Sequence, residues 1–370
     1  MFDLFVRIGL FISLIFFWPS RISGDELFSL GALTALIVLG LFTPAKRQVK
    51  IGLPAALFVW AYATMFLNMK QPIQMSVSNL FVGFLAFKTM AERIDTDARP
   101  LGKLLFFFCG LSIVLIGMQH AKLDRWYSPF FDNEIAGFSF RPWILGCSAV
   151  MALPFLYDES PWATLILIPL LIVGHSTICV AAALVGFLIC LDRDFPNLVR
   201  RLTVVAGLLV TVYIFYDNGI EWTRFVVWAK TLPYLKNPAI GMGFGAWAHE
   251  GFMRMNGTDP YHWRWAHNEF YQYFFEQGYV GLTLLLSWLF VLFVRNKSHI
   301  ARAALVSTAL ISFFHPVYHW GKLSYLGIFI LAFVEAGRIK DTPNQARPAA
   351  DFQVSAGVQS LPSESACCLS

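Results

Sequence analysis

The sequence predicts an all-α integral membrane protein with about twelve transmembrane helices. Hydrophobic residues make up 57% of the 370 residues and charged residues only 14%, whereas soluble domains carry about 25% charged residues. The mean hydropathy is +0.59. The apolar residues fall in long runs, and about 17–25 apolar residues match the thickness of a bilayer core. Because the runs do not alternate with polar residues, they predict helices and not the strands of a membrane barrel.

The apolar runs follow one another along most of the chain. The clearest are Ile12–Trp18, Leu30–Phe42, Leu104–Met118, Ala163–Val173 and Gly281–Val294. No A-x-A-like cleavage site follows the first run, so we expect a retained span there and not a signal peptide.

The basic residues predict the orientation of the chain. They follow the second, fourth, eighth, tenth and last predicted spans, and the loops between are poorer in Lys and Arg. The residues are Lys46, Arg47, Lys50, Arg93, Arg99, Lys103, Arg193, Arg200, Arg201, Arg295, Lys297, Arg302, Arg338 and Lys340. By the positive-inside rule both termini are cytoplasmic. The net charge of +5 is therefore interpreted as an orientation signal, and no nucleic-acid partner is expected.

The predicted spans divide the chain into four regions. Residues 1–216 form an N-terminal transmembrane bundle of about nine spans, and residues 217–268 form a large external loop between spans nine and ten. Residues 269–340 form the C-terminal spans. Residues 341–370, rich in Pro, Ser, Ala and Gln, form a cytoplasmic tail that we expect to be disordered.

The cysteines predict neither a metal site nor a disulfide framework. Four of the six, Cys109, Cys147, Cys179 and Cys190, lie within or beside predicted spans, where cysteine behaves as a small hydrophobic residue. The sequence has no C-x-x-C pair, the spacing typical of zinc sites.

The external loop contains the most informative pattern. Trp222–Lys230 has the composition of a short amphipathic interfacial helix. A glycine-rich turn, Asn237–Gly245, follows it, and Tyr261–His267 is an aromatic and basic stretch that leads into the tenth span. The turn also fits the dinucleotide pattern G-x-G-x-x-A, but no βαβ unit surrounds it, so we discount that match.

The turn and the start of the tenth span carry a recognisable motif. A P-x-x-G-x-G-x-G turn is followed by His-Asn-x-x-x-Gln-x-x-x-Glu-x-Gly-x-x-Gly. The residues are Pro238, Gly241, Gly243, Gly245, His267, Asn268, Gln272, Glu276, Gly278 and Gly281. This pattern resembles the O-antigen ligase-like (Wzy_C) superfamily. The Arg and Trp that this family usually has upstream of the motif correspond to Arg224 and Trp228 here. Gly137–Phe140 and His175–Thr177 resemble the family more weakly.

The resemblance implies a membrane glycosyltransferase with a GT-C-like helix bundle in the bacterial inner membrane. Such enzymes move an oligosaccharide from a polyprenyl-diphosphate carrier to lipid A core, to a growing glycan or to a protein. The glycan donor, the acceptor and the lipid bilayer are therefore the expected partners.

The motif residues suit this chemistry. His267 is the expected base, because an imidazole with a pKa near 6.5 accepts a proton at neutral pH. Arg224 is the expected diphosphate clamp, because a guanidinium binds phosphate oxygens bidentately. Further residues are expected to bind substrate: Arg141, Arg264, Asn268, Glu276, Trp263 and Trp265. Pro238, Gly241, Gly243, Gly245 and Gly278 are expected to shape the loop. This chemistry requires no metal and no other cofactor.

Several of these residues have simpler interpretations. His267 is also placed to cap the tenth span, and Arg224 to reach lipid phosphates from an interfacial helix. Aromatic residues such as Trp247, Trp263 and Trp265 either stack on sugars or belong to an aromatic belt. Glu276 either orients His267 or holds an arginine of the loop.

The function itself has alternatives. A ligase is favoured over a polymerase of the same superfamily, because such polymerases often carry Arg-x10-Gly motifs in two large external loops, and the two large external loops predicted here contain none. A bicarbonate-uptake-like transporter shares the signature. An inactive structural member is a third possibility, because Thr177 stands where many members have Arg.

Overall fold

The computed structural model describes residues 2–15, 24–68, 74–121, 142–174, 176–191, 202, 205, 220–247, 266–315 and 321–339. These ranges contain twelve α-helices and no strand. The helices are α1 Phe2–Ile15, α2 Gly24–Leu41, α3 Gly52–Asn68, α4 Gln74–Arg93, α5 Arg99–His120, α6 Pro142–Glu159, α7 Leu167–Gly174, α8 Thr177–Leu191, α9 Ile220–Thr231, α10 Glu269–Arg295, α11 His299–Ser312 and α12 Gly321–Ile339. Two 3₁₀ turns are Pro161–Ile166 and Leu232–Tyr234. The prediction of an all-helical chain is confirmed for this part of the sequence.

Two of the described helices, α5 and α10, are long and apolar enough to cross a membrane. Five further apolar segments of 10–17 residues are shorter, among them Gly52–Leu67 and His299–Ser312. The number of about twelve membrane spans stays a prediction.

Helix α10 has two different apolar faces. Leu285, Trp288 and Leu292 are buried against the bundle. Leu286, Phe290 and Val294, spaced four residues apart on another face, are 46%, 66% and 52% exposed. Residues four apart lie above one another on a helix, so these side chains form an apolar stripe along the outside of the bundle.

Helix α6 forms the centre of the core. All of its residues from Ile144 to Leu156 are buried, as expected of a helix that is apolar all round. It packs against α5, α7, α8 and α11. The core therefore lies between helices from both halves of the chain.

Several basic loops meet at one end of the bundle. Lys46, after α2, lies 2.7 Å from the carboxylate of Asp3 and 3.9 Å from that of Asp95, after α4. Asp3 and Asp95 also line a small cavity together with Leu101, in the first turn of α5, and Phe333 of α12. This arrangement agrees with the prediction that these loops share one side, while their cytoplasmic location stays a prediction.

The two ends of α10 lie at opposite ends of the bundle. Near its C-terminus, Asn296 donates a hydrogen bond to the carbonyl oxygen of Val334, over 2.7 Å, and the preceding residue, Phe333, lines the same cavity as Asp3. The continuous helical part of α10 between Gly278 and Arg295 spans about 25 Å. The N-terminus of α10 therefore lies far from the basic loops, and Phe270 there packs against Phe313, with ring centroids 4.6 Å apart.

Candidate active site

His267 lies two residues before the start of α10 and has a rare backbone conformation. Its φ is 54°, and among the described residues it is the one non-glycine residue with positive φ. Such a conformation is strained for a side chain with a Cβ, and strained residues cluster at functional sites. The side chain is half-buried.

The residues on either side of His267 fix its position. Ala266 donates its N–H to Gln272 Oε1 over 3.1 Å and accepts a hydrogen bond from Trp228 Nε1 over 2.7 Å. Asn268 is the N-cap of α10, because its side-chain oxygen accepts the Tyr271 N–H over 2.9 Å. The cap is thus Asn268 and not His267. The predicted substrate role of Asn268 stays a prediction.

The glycine-rich turn packs along α10 where this helix bends. The bend is at Gly278, whose φ of 67° and ψ of −169° are not helical. The Tyr279 N–H donates to the Pro238 carbonyl over 2.8 Å, and the Gly243 N–H donates to the Glu276 carbonyl over 2.7 Å. The backbone groups that the bend releases from the helix are thus satisfied by the turn.

The turn approaches α10 this closely because a glycine stands on each side of the contact, Gly241 in the turn and Gly278 in the helix. A Cβ built on Gly241, whose φ is 72°, would overlap the backbone of Glu276 and Gln277. A Cβ built on Gly278 would overlap the backbone of Ala239 and Ile240. The predicted structural role of Gly241 and Gly278 therefore has a physical basis. Gly243 and Gly245 also have positive φ.

Glu276 joins the turn to the helix through its carboxylate. Oε2 accepts the Gly245 N–H over 2.9 Å, and Oε1 accepts the Trp247 N–H over 3.2 Å. Gln272 Nε2 also donates to Oε1, over 3.2 Å. The side chain is 1% exposed, so the buried charge is stabilised by several donors. Because Gln272 also binds Ala266, these contacts form one path from the turn to His267.

Trp228 supports the site from α9. Its indole stacks on the ring of Tyr271, with centroids 5.6 Å apart, while its Nε1 holds Ala266. The Tyr271 hydroxyl donates to the Trp228 carbonyl over 2.8 Å and lies 2.6 Å from Thr231 Oγ1. The helix predicted at Trp222–Lys230 is therefore observed as α9, and it is fixed to the start of α10.

Trp247 lies in the packing and not at a surface. It is 1% exposed, and its ring contacts Tyr271 and Phe275 edge-on, at 5.9 and 5.1 Å between centroids. Both interpretations of Trp247, sugar stacking and a membrane belt, require an accessible ring and are wrong for this residue. Glu276 also fixes the backbone of this residue, because its Oε1 accepts the Trp247 N–H.

Some predicted residues cannot be placed beside His267. Arg224 lies in α9, one turn before Trp228, and its side chain is outside the described residues, as are Arg141, Arg264, Trp263 and Trp265. Their assigned roles stay predictions. The structure brings together His267, Asn268, Glu276 and the turn with Pro238, Gly241, Gly243 and Gly245, against the bend at Gly278.

A second cluster of reactive side chains lies near the same end of the bundle. One metal-ligand atom from each of Cys147, Cys179 and His315 lies within 4.8 Å of the others, and all three residues are buried. Ser176 Oγ lies 3.2 Å from His315 Nε2. From the sequence alone, these cysteines are expected to pack as small hydrophobic residues. The cluster joins α6, α8 and the segment that follows α11. Because these segments are far apart in the sequence, no local spacing of residues reveals it.

The family comparison supports the motif on which these assignments rest. No curated protein matches the chain. The matching family model begins at the first residue of α6 and includes α9, the glycine-rich turn, His267, Glu276 and Gly278. Residues 142–286 thus match the model of the Wzy_C family, described as O-antigen ligase, and the family resemblance is confirmed for this segment.

Proposed function

We propose that the chain is a membrane glycosyltransferase that transfers an oligosaccharide from a polyprenyl-diphosphate carrier to an acceptor. Lipid A core is the foremost acceptor, and the reaction takes place on the external face of the bacterial inner membrane. The observation that carries the proposal is the left-handed backbone conformation of His267, whose neighbours are fixed by hydrogen bonds. His267 lies inside a segment that matches the O-antigen ligase family.

The proposed reaction needs a base at the acceptor and a cation at the donor. The acceptor hydroxyl oxygen attacks the anomeric carbon of the donor sugar while His267 takes the hydroxyl proton. The bond between that carbon and the diphosphate oxygen breaks, and its electron pair leaves with polyprenyl diphosphate. Arg224 binds the departing diphosphate in this mechanism, since guanidinium keeps its charge and pairs bidentately with phosphate.

Hydrogen bonds to the neighbours of His267 fix the position of this residue, which supports its assignment as the base. Both backbone groups of Ala266 and the side chain of Asn268 are engaged in hydrogen bonds. A base contributes most when its position is fixed before the substrate binds. The N-terminus of α10 lies beside His267, and a helix N-terminus favours anionic groups such as a diphosphate.

The outer surface supports a location in the bilayer. Large apolar residues are exposed on many helices, including Phe107 and Val114 of α5, which are 57% and 61% exposed. Water-soluble proteins seldom expose continuous apolar surface of this kind. Together with the stripe along α10 and the family match, this surface fits contact with lipid chains.

The alternatives differ in what they require of the site. A polymerase uses the same chemistry with a growing glycan as acceptor, so only the acceptor separates it from a ligase. A transporter uses broken helices whose free backbone groups bind ions. At the bend in α10 the carbonyls of Phe275, Glu276 and Gln277 accept hydrogen bonds from Met242, Gly243 and Trp60. The bend therefore favours loop attachment over ion binding.

The test is a transfer assay with the purified chain in nanodiscs. It combines polyprenyl-diphosphate oligosaccharide with lipid A core, with a second glycan acceptor, or with no acceptor, in the presence of EDTA. Transfer to lipid A core supports the ligase, and extension of the donor glycan supports the polymerase. Failure of the wild type to consume donor with every acceptor contradicts an enzymatic function.

Two variants and two matched controls test the assignments in the same assay. His267→Ala and Arg224→Ala are expected to lose transfer. His299→Ala and Arg302→Ala remove the same side chains from the start of α11, at the other end of the bundle, and are expected to keep it. Equal activity of wild type, His267→Ala and Arg224→Ala would show that the base and the clamp lie elsewhere.

A further inference from the structure

Cys147, Cys179 and Ser176 meet His315 in a buried region between α6, the start of α8 and the end of α11. The two sulfur atoms are 3.8 Å apart. Cys147 and Cys179 are fully buried, and His315 is 3% exposed. Three potential metal ligands from separate parts of the fold therefore share one pocket of side chains.

The sulfur spacing fits a zinc ion. Zinc binds thiolate at about 2.3 Å in tetrahedral geometry, which places two bound sulfurs about 3.8 Å apart. The observed Cys147–Cys179 distance has this value. The nitrogen of His315 lies within 4.8 Å of both sulfurs. A zinc-bound nitrogen would lie about 3.6 Å from each sulfur, so binding requires the nitrogen to approach the sulfurs by about 1.2 Å at most.

Charge and ligand type favour zinc over other cations. Two thiolates and one Zn²⁺ sum to zero, which a buried site tolerates far better than a net charge. Copper(I) with the same ligands would leave one negative charge. Magnesium and calcium prefer oxygen ligands. We propose that Cys147, Cys179 and His315 bind one zinc ion that joins α6, α8 and the chain after α11.

Ser176 has the position of a supporting residue. Its hydroxyl lies 3.2 Å from His315 Nε2 and accepts the Cys179 N–H over 3.4 Å. A second hydrogen bond to a metal-binding histidine selects its tautomer and its ring orientation. Ser176 therefore orients His315 if Nδ1 binds zinc, and its hydroxyl is a candidate oxygen ligand if Nε2 does.

The zinc ion would stabilise the bundle near the candidate active site. His315 follows Phe313 by two residues, and Phe313 packs on Phe270 in the first turn of α10. The metal has no part in the proposed transfer, so this inference stands or falls separately from the proposed function.

The test measures the metal content of full-length protein. The chain is purified in detergent from zinc-supplemented cells, its affinity tag is removed, and it is dialysed against EDTA. Elemental analysis is expected to find one zinc per chain. X-ray absorption at the zinc edge is expected to show two sulfur neighbours at about 2.3 Å and nitrogen or oxygen at about 2.0–2.2 Å.

Variants assign the ligands. Cys147→Ser, Cys179→Ser and His315→Gln are each expected to lower the zinc content at least tenfold while eluting as a single species. Cys109→Ser and Cys190→Ser remove other buried cysteines and are expected to leave it unchanged. A wild type without zinc, zinc without sulfur neighbours, or a disulfide between Cys147 and Cys179 would each overturn the proposal. Because the wild-type spectrum counts the sulfur neighbours of the zinc directly, the test of a two-cysteine zinc site holds even if a variant misfolds.

Discussion

The carboxylate of Glu276 accepts the backbone N–H of Gly245 and thereby ties the glycine-rich turn to the first turns of α10. The same carboxylate accepts the Gln272 amide, and Gln272 holds Ala266, the neighbour of His267. The motif residues are thus connected physically, and a change at one end of this path is expected to reach the other.

Replacing Glu276 with Gln is expected to weaken this connection. The amide has one acceptor oxygen in place of two, so one of the three N–H donors around it loses its acceptor. An unsatisfied buried donor costs about 1–3 kcal/mol. We expect a lower melting temperature of the purified protein and a lower transfer rate. Glu159→Gln, which breaks a 3.8 Å pair with the exposed Lys103, is the control and is expected to change neither. Equal melting temperatures for both variants would contradict this role of Glu276.

Replacing Gly278 with Ala is expected to separate the turn from α10. Its φ of 67° and ψ of −169° lie in a region that is essentially restricted to glycine, where another residue costs about 1–3 kcal/mol. The added Cβ would also overlap the backbone of Ala239. The melting temperature and the transfer rate should both fall.

Gly117→Ala is the matched control for that experiment. Gly117 lies in α5, and a Cβ added there would meet no atom within 4 Å. Because alanine favours a helix over glycine by about 1 kcal/mol, this variant should be as stable as the wild type or more so. A Gly278→Ala protein with the same stability and activity would show that the bend is not required.

Replacing Trp228 with Phe tests the support beneath His267. Phenylalanine keeps an aromatic ring beside Tyr271 but cannot donate to the Ala266 carbonyl. We expect kcat to fall on the order of tenfold, which corresponds to about 1.4 kcal/mol, with little change in KM. Trp162→Phe, at a side chain that is 79% exposed, should have no effect. A change in KM alone would indicate that Trp228 contributes to binding and not to the position of His267.

The helices and the candidate site were predictable from the sequence to different degrees. Apolar runs locate α5 and α10 because their periodicity and length are local properties of the chain. The motif identifies His267 and Glu276, but not that Glu276 binds the turn, because that contact joins residues 31 positions apart.

Contacts between distant parts of the chain explain what the sequence did not predict. The proximity of Cys147 and His315 depends on how α6 packs near the end of α11. Tryptophan is common at membrane interfaces, but the ring of Trp247 packs on Tyr271 and Phe275 and is buried. In both cases tertiary packing, and not local pattern, determines the environment of the side chain.

The central claim is that His267 is the catalytic base, and a His267→Gly variant tests it most directly. Glycine adopts the φ of 54° without strain, which offsets the loss of the half-buried side chain, so the melting temperature should change little. The transfer rate should fall by about 10²–10⁴-fold, the usual contribution of a general base. Added imidazole should restore part of that rate in the variant and should not raise the wild-type rate. A stable His267→Gly protein that transfers glycan at the wild-type rate would contradict the claim.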